Sequence, residues 1–128
     1  MSEIENARIT KADLSMEDHG VLTMDLILEG NGWGCVFGGY VLGHGWLGAD
    51  EKDFKGSAAG TEAIMQIMNV VGVSRFSELQ GKYVRVILGS GWGGGISAIG
   101  NIIENKWFDY KKFFAEKEKA LDEMSVSE

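Results

Sequence analysis

The sequence predicts an α+β domain: an antiparallel β-sheet of about five strands with two helices, in the order β-β-β-α-β-β-α. Three observations predict it. Val21 to Glu29 alternates, with Leu22, Met24, Leu26 and Leu28 on one face and Thr23, Asp25 and Glu29 on the other. That is the pattern of a strand with one covered and one wet face. Asn31-Gly32 follows at once and tolerates the positive φ of a tight hairpin. Further on, Ile64, Ile67, Met68 and Val71 recur at i, i+3, i+4 and i+7, the stripe of a half-buried helix. Strands in hairpins with two helices pack most simply as a sheet whose helices cover one face.

Taken in order, residues 3–14 read as a first strand of weak alternation, and Ser15 to Gly20 as a turn. The second strand is Val21 to Glu29. Gly30-Asn-Gly32 turns into a third strand, about Trp33 to Leu42, with Trp33, Cys35, Phe37 and Val41 on one face and Val36, Tyr40 and Leu42 on the other. Gly43 to Gly56 reads as a long irregular loop. Ser57 can cap a helix over about 58–71, which Gly72 ends. Ser77 to Gln80 reads as one helical turn, and Lys82 to Leu88 and Ile96 to Ile103 as strands. Asp109 can cap a last helix over about 110–123, where Lys112 and Glu116 stand four apart. The 128 residues amount to one domain, over 3–123, with a frayed tail at 124–128.

Composition narrows the function. An apolar content of 45% is that of a folded globular chain. No apolar run approaches the roughly 18 residues that span a bilayer, and Met-Ser-Glu-Ile-Glu-Asn has no signal-peptide pattern. One cysteine, Cys35, excludes an internal disulfide and a cysteine-built metal site. A cytoplasmic protein is expected. The net charge of −7 argues against binding a nucleic acid polymer. It leaves room for a small anionic ligand, which needs only one or two cations and some backbone N–H groups. The sheet's second face keeps Ile27, Ile87 and either Phe37 or Tyr40. A homo-oligomer burying that face, most simply a dimer, is expected.

Nothing in the residue spacing establishes a reaction. His19 and His44 lie in a charged turn and a glycine-rich loop, without metal-ligand spacing. Cys35 has no neighbouring base or cation to activate it. Glu17, Asp18, Asp50, Glu51 and Asp53 read as solvated turn carboxylates. Lys55 to Gly60 opens a helix and so offers a possible anion contact, but lacks the Gly-Lys-Ser/Thr ending of a phosphate loop. No catalytic residue, cofactor or metal is expected.

The chemistry that remains is rings between glycines. Asn31 to Tyr40 carries Trp33, Phe37 and Tyr40, and Gly89 to Gly95 repeats the Gly-x-Gly-Trp-Gly pattern around Trp92. Glycine runs let another group approach the backbone, so the two stretches can line an aromatic pocket. They can equally be two turns whose rings cap the core. Arg85, beside Tyr83, and Asn101 and Lys106 are the candidate polar contacts.

Glu17-Asp-His-Gly20, Gly32-Trp-Gly34 with Phe37-Gly-Gly-Tyr40, Gly81-Lys-Tyr-Val-Arg-Val86, and Ile99-Gly-Asn-Ile102 with Lys106-Trp-Phe-Asp109 resemble small phage and prophage proteins of Gram-positive bacteria. The family is identified as the first-described phage anti-defence family against the Thoeris system. The resemblance runs from about residue 4 to 114. It implies a molecular sponge in the bacterial host cytoplasm that binds glycocyclic ADP-ribose, a signal made from NAD by a TIR-domain enzyme, without cleaving it. It also implies homo-oligomers built from dimers, some of which hold cyclic oligonucleotides. The chain is poor in arginine for a pyrophosphate binder. On this expectation Trp33, Phe37, Tyr40 and Trp92 supply rings, and Arg85, Asn101 and Lys106 polar contacts. The alternative is an acidic inhibitor of the anti-CRISPR type, docking Glu17, Asp18, Asp50, Glu51 and Asp53 on a basic channel of a nuclease.

Overall fold

The computed structural model describes residues 3–18, 20–46, 52–88 and 95–117. It is an α+β fold in which seven described strands form one antiparallel sheet. They are β1 (Glu3–Asp18), β2 (Val21–Gly30), β3 (Trp33–Trp46), β4 (Lys52–Gly56), β5 (Tyr83–Leu88), β6 (Ile96–Gly100) and β7 (Trp107–Asp109). One helix, α1 (Ala58–Val71), separates β4 from β5, and a 3-10 turn, Phe76–Leu79, follows it. The second helix, α2, covers 110–117 of the described chain.

The sheet order is β4-β3-β2-β1-β5-β6-β7. Each half is a run of hairpins. The single long connection carries the chain from the β4 edge through α1 to β5, on the free side of β1. The strand count exceeds the expected five for two reasons. The stretch expected as an irregular loop is partly strand: β3 continues to Trp46, and Gly43 and His44 pair with Gly56 and Lys55 of β4. Residues 107–109 add a short strand against β6. Likewise, β1 runs on to Asp18 where a turn was expected, because Leu14 and Ser15 still pair with Met24 and Thr23.

Local chemistry explains the elements that matched. Met24, Leu26 and Leu28 of β2 are fully buried, each worth about 1.5–3 kcal/mol of removed apolar surface. Gly32 turns the hairpin at φ +82°. The Ser57 hydroxyl accepts from the Gly60 N–H at 3.0 Å, and Gly72, left-handed at φ 92°, closes α1 through its N–H to the Met68 carbonyl at 2.8 Å. Asp109 caps α2 by accepting from the Lys112 N–H at 3.0 Å.

The expected alternation in β3 fails after Phe37. Asp25 pairs with Gly38 but Met24 pairs with Tyr40, so Gly39 is an extra residue. A bulge shifts the side-chain phase by one and bends the strand. Phe37 and Leu42 therefore both enter the core, while Val41 stands out with Val36. Gly38 lies at φ +120°, where a Cβ would run into the Met24 carbonyl oxygen, so glycine is required there.

The sheet curls. β3 and β7 are five strand spacings apart, about 24 Å in a flat sheet. Yet Phe37 of β3 meets Phe108 of β7 edge-on, with ring centroids 6.4 Å apart. Inside the curl lie Ile9, Met24, Leu26, Leu28, Val84, Val86 and Ile99. Helix α1 bridges it, packing on β3 and on β6 and β7. At its start a Cβ on Gly60 would lie 2.8 Å from the Val41 carbonyl oxygen, so only glycine lets the helix sit this close to β3.

Candidate functional site

Arg85, Asn101 and Lys106 converge at the turn between β6 and β7. The Arg85 guanidinium donates through Nε to the Asn101 carbonyl at 2.7 Å and through Nη2 to the Glu104 carbonyl at 2.8 Å. Its Cζ stacks 4.9 Å from the Trp107 ring centroid. Asn101 is 9% exposed. Its amide donates to the Val70 carbonyl at 2.9 Å, and its Oδ1 accepts from the N–H groups of Ile103 and Glu104 at 2.9 and 2.8 Å. Lys106 makes an exposed pair with Glu104 at 3.4 Å. The expected base-reading amide of Asn101 thus binds the end of α1 to the turn, and the expected Arg85 contact holds that turn shut.

Of the expected ring residues, Trp33 and Phe37 are described with their side chains. Trp33 lies flat over Gly30, half-buried, and donates its indole N–H to Glu5 Oε1 at 3.1 Å. Phe37 is 3% exposed and meets Tyr110 as well as Phe108, at 6.1 Å and 72°. Only the backbone of Tyr40 is described, and Trp92 lies outside the described residues. Of the other sequence candidates, His19, Asp50 and Glu51 lie outside the described residues, and Glu17, Asp18 and Asp53 are described in their backbone alone. Cys35 is half-buried and turns its thiol toward the Val36 carbonyl at 3.6 Å.

Among the described residues, part of the first glycine-rich stretch, with Phe37, and Gly95 at the end of the second line one cleft. A cleft of about 230 Å³ is lined by Val36, Phe37 and Gly38 of the first stretch, Gly95 and Ile96 at the end of the second, and Tyr110 and Lys111 of α2. It lies where the curl brings β3 against the start of α2. Its chemistry is mixed: aromatic carbon from Tyr110, aliphatic carbon from Val36 and Ile96, backbone from two glycines, and one ammonium from exposed Lys111. Sequence reasoning placed Tyr110 only on the apolar stripe of the last helix. No periodic signal marks contact across five strands, so Tyr110 and Lys111 were not legible as neighbours of Phe37.

A larger cleft, about 400 Å³, separates Gln66 of α1 from Asp109, Lys112, Phe113, Glu116 and Lys117 at the base of α2. Charges of both signs line it, and Lys117 is already paired with Glu62. The smaller cleft presents the more coherent surface to a planar anionic ligand. Among the described residues no group of three or more His, Cys, Asp or Glu is placed to hold a metal ion. No helix of the described chain is long and apolar enough to cross a membrane.

No protein-family model matches the chain, and no curated protein or solved structure matches it.

Proposed function

We propose that this chain is a phage or prophage anti-defence protein that binds a cyclic nucleotide immune signal of the glycocyclic ADP-ribose type and sequesters it without cleaving it. The observation that carries the reading is the cleft at which Phe37 and Gly38, Gly95 and Ile96, and Tyr110 and Lys111 converge. A cyclic ADP-ribose has an adenine face for stacking on a ring and a pyrophosphate for an ammonium and backbone N–H groups. The sequence motifs quoted above point to the same ligand class.

Sequestration needs slow release rather than tighter binding of a transition state. To outcompete an effector enzyme the affinity must be nanomolar, about −12 kcal/mol. The cleft is small for a whole dinucleotide, since ligand sites run to about 300–1,000 Å³. A second protomer completes it in our reading. Ile27, Val36 and Val41 stand on the sheet face away from α1, all exposed, with Val36 at 58%. That apolar face is the one a homo-oligomer would bury. The protein would act in the cytoplasm of the bacterial host, where the signal is made.

The test is a release experiment. The purified chain is incubated with the small-molecule filtrate of cells whose TIR-type defence is active. The protein is then denatured by heat, and the supernatant is applied to the effector NADase. Activity lost on incubation and restored on heating is expected. Activity lost and not restored would mean cleavage, and activity never lost would remove the sponge.

A further inference from the structure

We propose that the β5–β7 end of the sheet is a docking surface for a second protein, one that offers an apolar pocket rimmed by carboxylates. Turns are built mostly from small and polar residues. The turn from Asn101 to Lys106 instead carries Ile102 and Ile103, and Ile103 is 85% exposed. Tyr83, 62% exposed, opens the neighbouring strand β5. The register that sets Arg85 opposite Gly100 brings Tyr83 level with the start of the turn. Single apolar side chains on a surface are ordinary, whereas a group of them marks an interaction site.

The apex of the turn is held in one shape. Asn101 Oδ1 accepts from the N–H groups of Ile103 and Glu104. The Asn101 N–H donates to the Lys106 carbonyl at 3.0 Å, and the Lys106 N–H to the Glu104 carbonyl at 2.9 Å. Arg85 ties the Asn101 and Glu104 carbonyls together. Trp107 donates its indole N–H to Asn105 Oδ1 at 3.1 Å and lies over Gly100, where a Cβ would stand 2.5 Å from the ring. The bond from Asn101 to the Val70 carbonyl anchors α1; the others fix the apex itself. An apex fixed before contact loses little entropy on binding.

Tyr83, Arg85 and the Trp107 ring on which Arg85 stacks are the residue types that carry most binding energy at protein interfaces. The charges around them choose the partner. The chain is −7 overall. Yet Arg8, opposite Tyr83, stands at this end with Lys82, Arg85 and Lys106, against Glu29 opposite Arg8 and Glu104 paired with Lys106. A partner of complementary sign is acidic there. A nucleic acid is opposed by the net charge. The surface lies on another part of the sheet from Ile27, Val36 and Val41 and shares no residue with the cleft at Phe37. The proposal therefore stands or falls apart from the sponge reading and its oligomer.

The probe is a phage-displayed library of random peptides, panned on the full chain. Peptides with Asp or Glu on both sides of a large apolar residue are expected to be enriched. A synthetic copy of one is then titrated by calorimetry. Ile103→Asp should weaken its binding at least about tenfold, the loss brought by a residue on which an interface depends. Tyr83→Ala and Arg8→Glu should each weaken it several-fold, and binding should fall as salt is raised. All three positions are exposed, so the urea midpoint should stay where it is. No enriched peptide, or a peptide that a folded Ile103→Asp chain binds as tightly as the parent, would overturn the proposal. A lighter species for Ile103→Asp than for the parent in sedimentation would mean that the patch meets a second copy, and would overturn it too. If Ile103→Asp does not fold, Tyr83→Ala decides: weakened binding upholds the surface and unchanged binding overturns it.

Discussion

Phe37 and Phe108 lie 71 positions apart in the chain and five strands apart in the sheet, yet their rings meet edge to face at 6.4 Å and 86°. That one contact states how the sheet is shaped. It curls until the face of β3 reaches β7, and the aromatic run Phe108, Phe113, Phe114 and Tyr110 fills the seam.

Phe108→Ala should therefore cost about 3–5 kcal/mol, the usual loss for a buried Phe truncated in a core. Phe37→Ala should cost a similar amount. Urea unfolding followed by circular dichroism measures both. The pair is in contact, so the double variant should lose less than the sum of the two. Additive losses would mean that the two rings do not touch.

Gly38→Ala should be far worse than its size suggests. The position has φ +120°, and its Cβ would meet backbone rather than a yielding side chain. We expect a loss above about 2 kcal/mol, read as a lower urea midpoint. A loss within about 0.5 kcal/mol would remove the bulge that turns Phe37 and Leu42 inward together.

Asn101→Ala removes one donor and one doubly used acceptor from a nearly buried site. A cost of about 2–4 kcal/mol is expected, since the Val70 carbonyl and two backbone N–H groups lose their partner. Arg85→Lys keeps the charge but cannot reproduce the fork onto two carbonyls or the stacking on Trp107. A smaller loss, about 1–2 kcal/mol, is expected in thermal denaturation. If Asn101→Ala instead abolished ligand binding at unchanged stability, Asn101 would be a ligand contact and not a clamp.

Lys111→Ala separates binding from folding. Its side chain is exposed, so stability should move by less than about 0.5 kcal/mol. Binding of glycocyclic ADP-ribose, measured by calorimetry, should weaken about tenfold and lose part of its salt dependence. Equal affinity would place the pyrophosphate away from this cleft.

Val41→Lys addresses the open face. It puts a charge on an exposed apolar position that a second copy would have to bury. Sedimentation should show a smaller species with an unchanged spectrum of secondary structure. An unchanged mass would leave that face facing water.

The sequence by itself determined the elements whose signals are local. The alternation of Val21 to Glu29, the turn at Asn31-Gly32, the capped helix from Ser57 to Gly72 and the Asp109 cap each depend on neighbours within a few residues. The structure reproduces them at those positions. Only the tertiary structure decided the rest. Which side of β1 receives β5, and that Gly43 to Gly56 is partly sheet, depend on backbone pairing between residues with no patterned side chains. The extra residue at Gly39 reverses the side chains that follow it up to Leu42, where a second irregularity shifts the register again, and a glycine leaves no hydrophobic mark by which to count it. That reversal puts Leu42 on the buried face with Phe37 and exposes Val41. Arg85 and Asn101 were legible as candidate polar contacts for a ligand, but the partners they have in the fold are backbone carbonyls and N–H groups, which every residue carries alike. Composition could say that rings, glycines and a few cations were present. The curl of the sheet alone set Tyr110 and Lys111 beside Phe37.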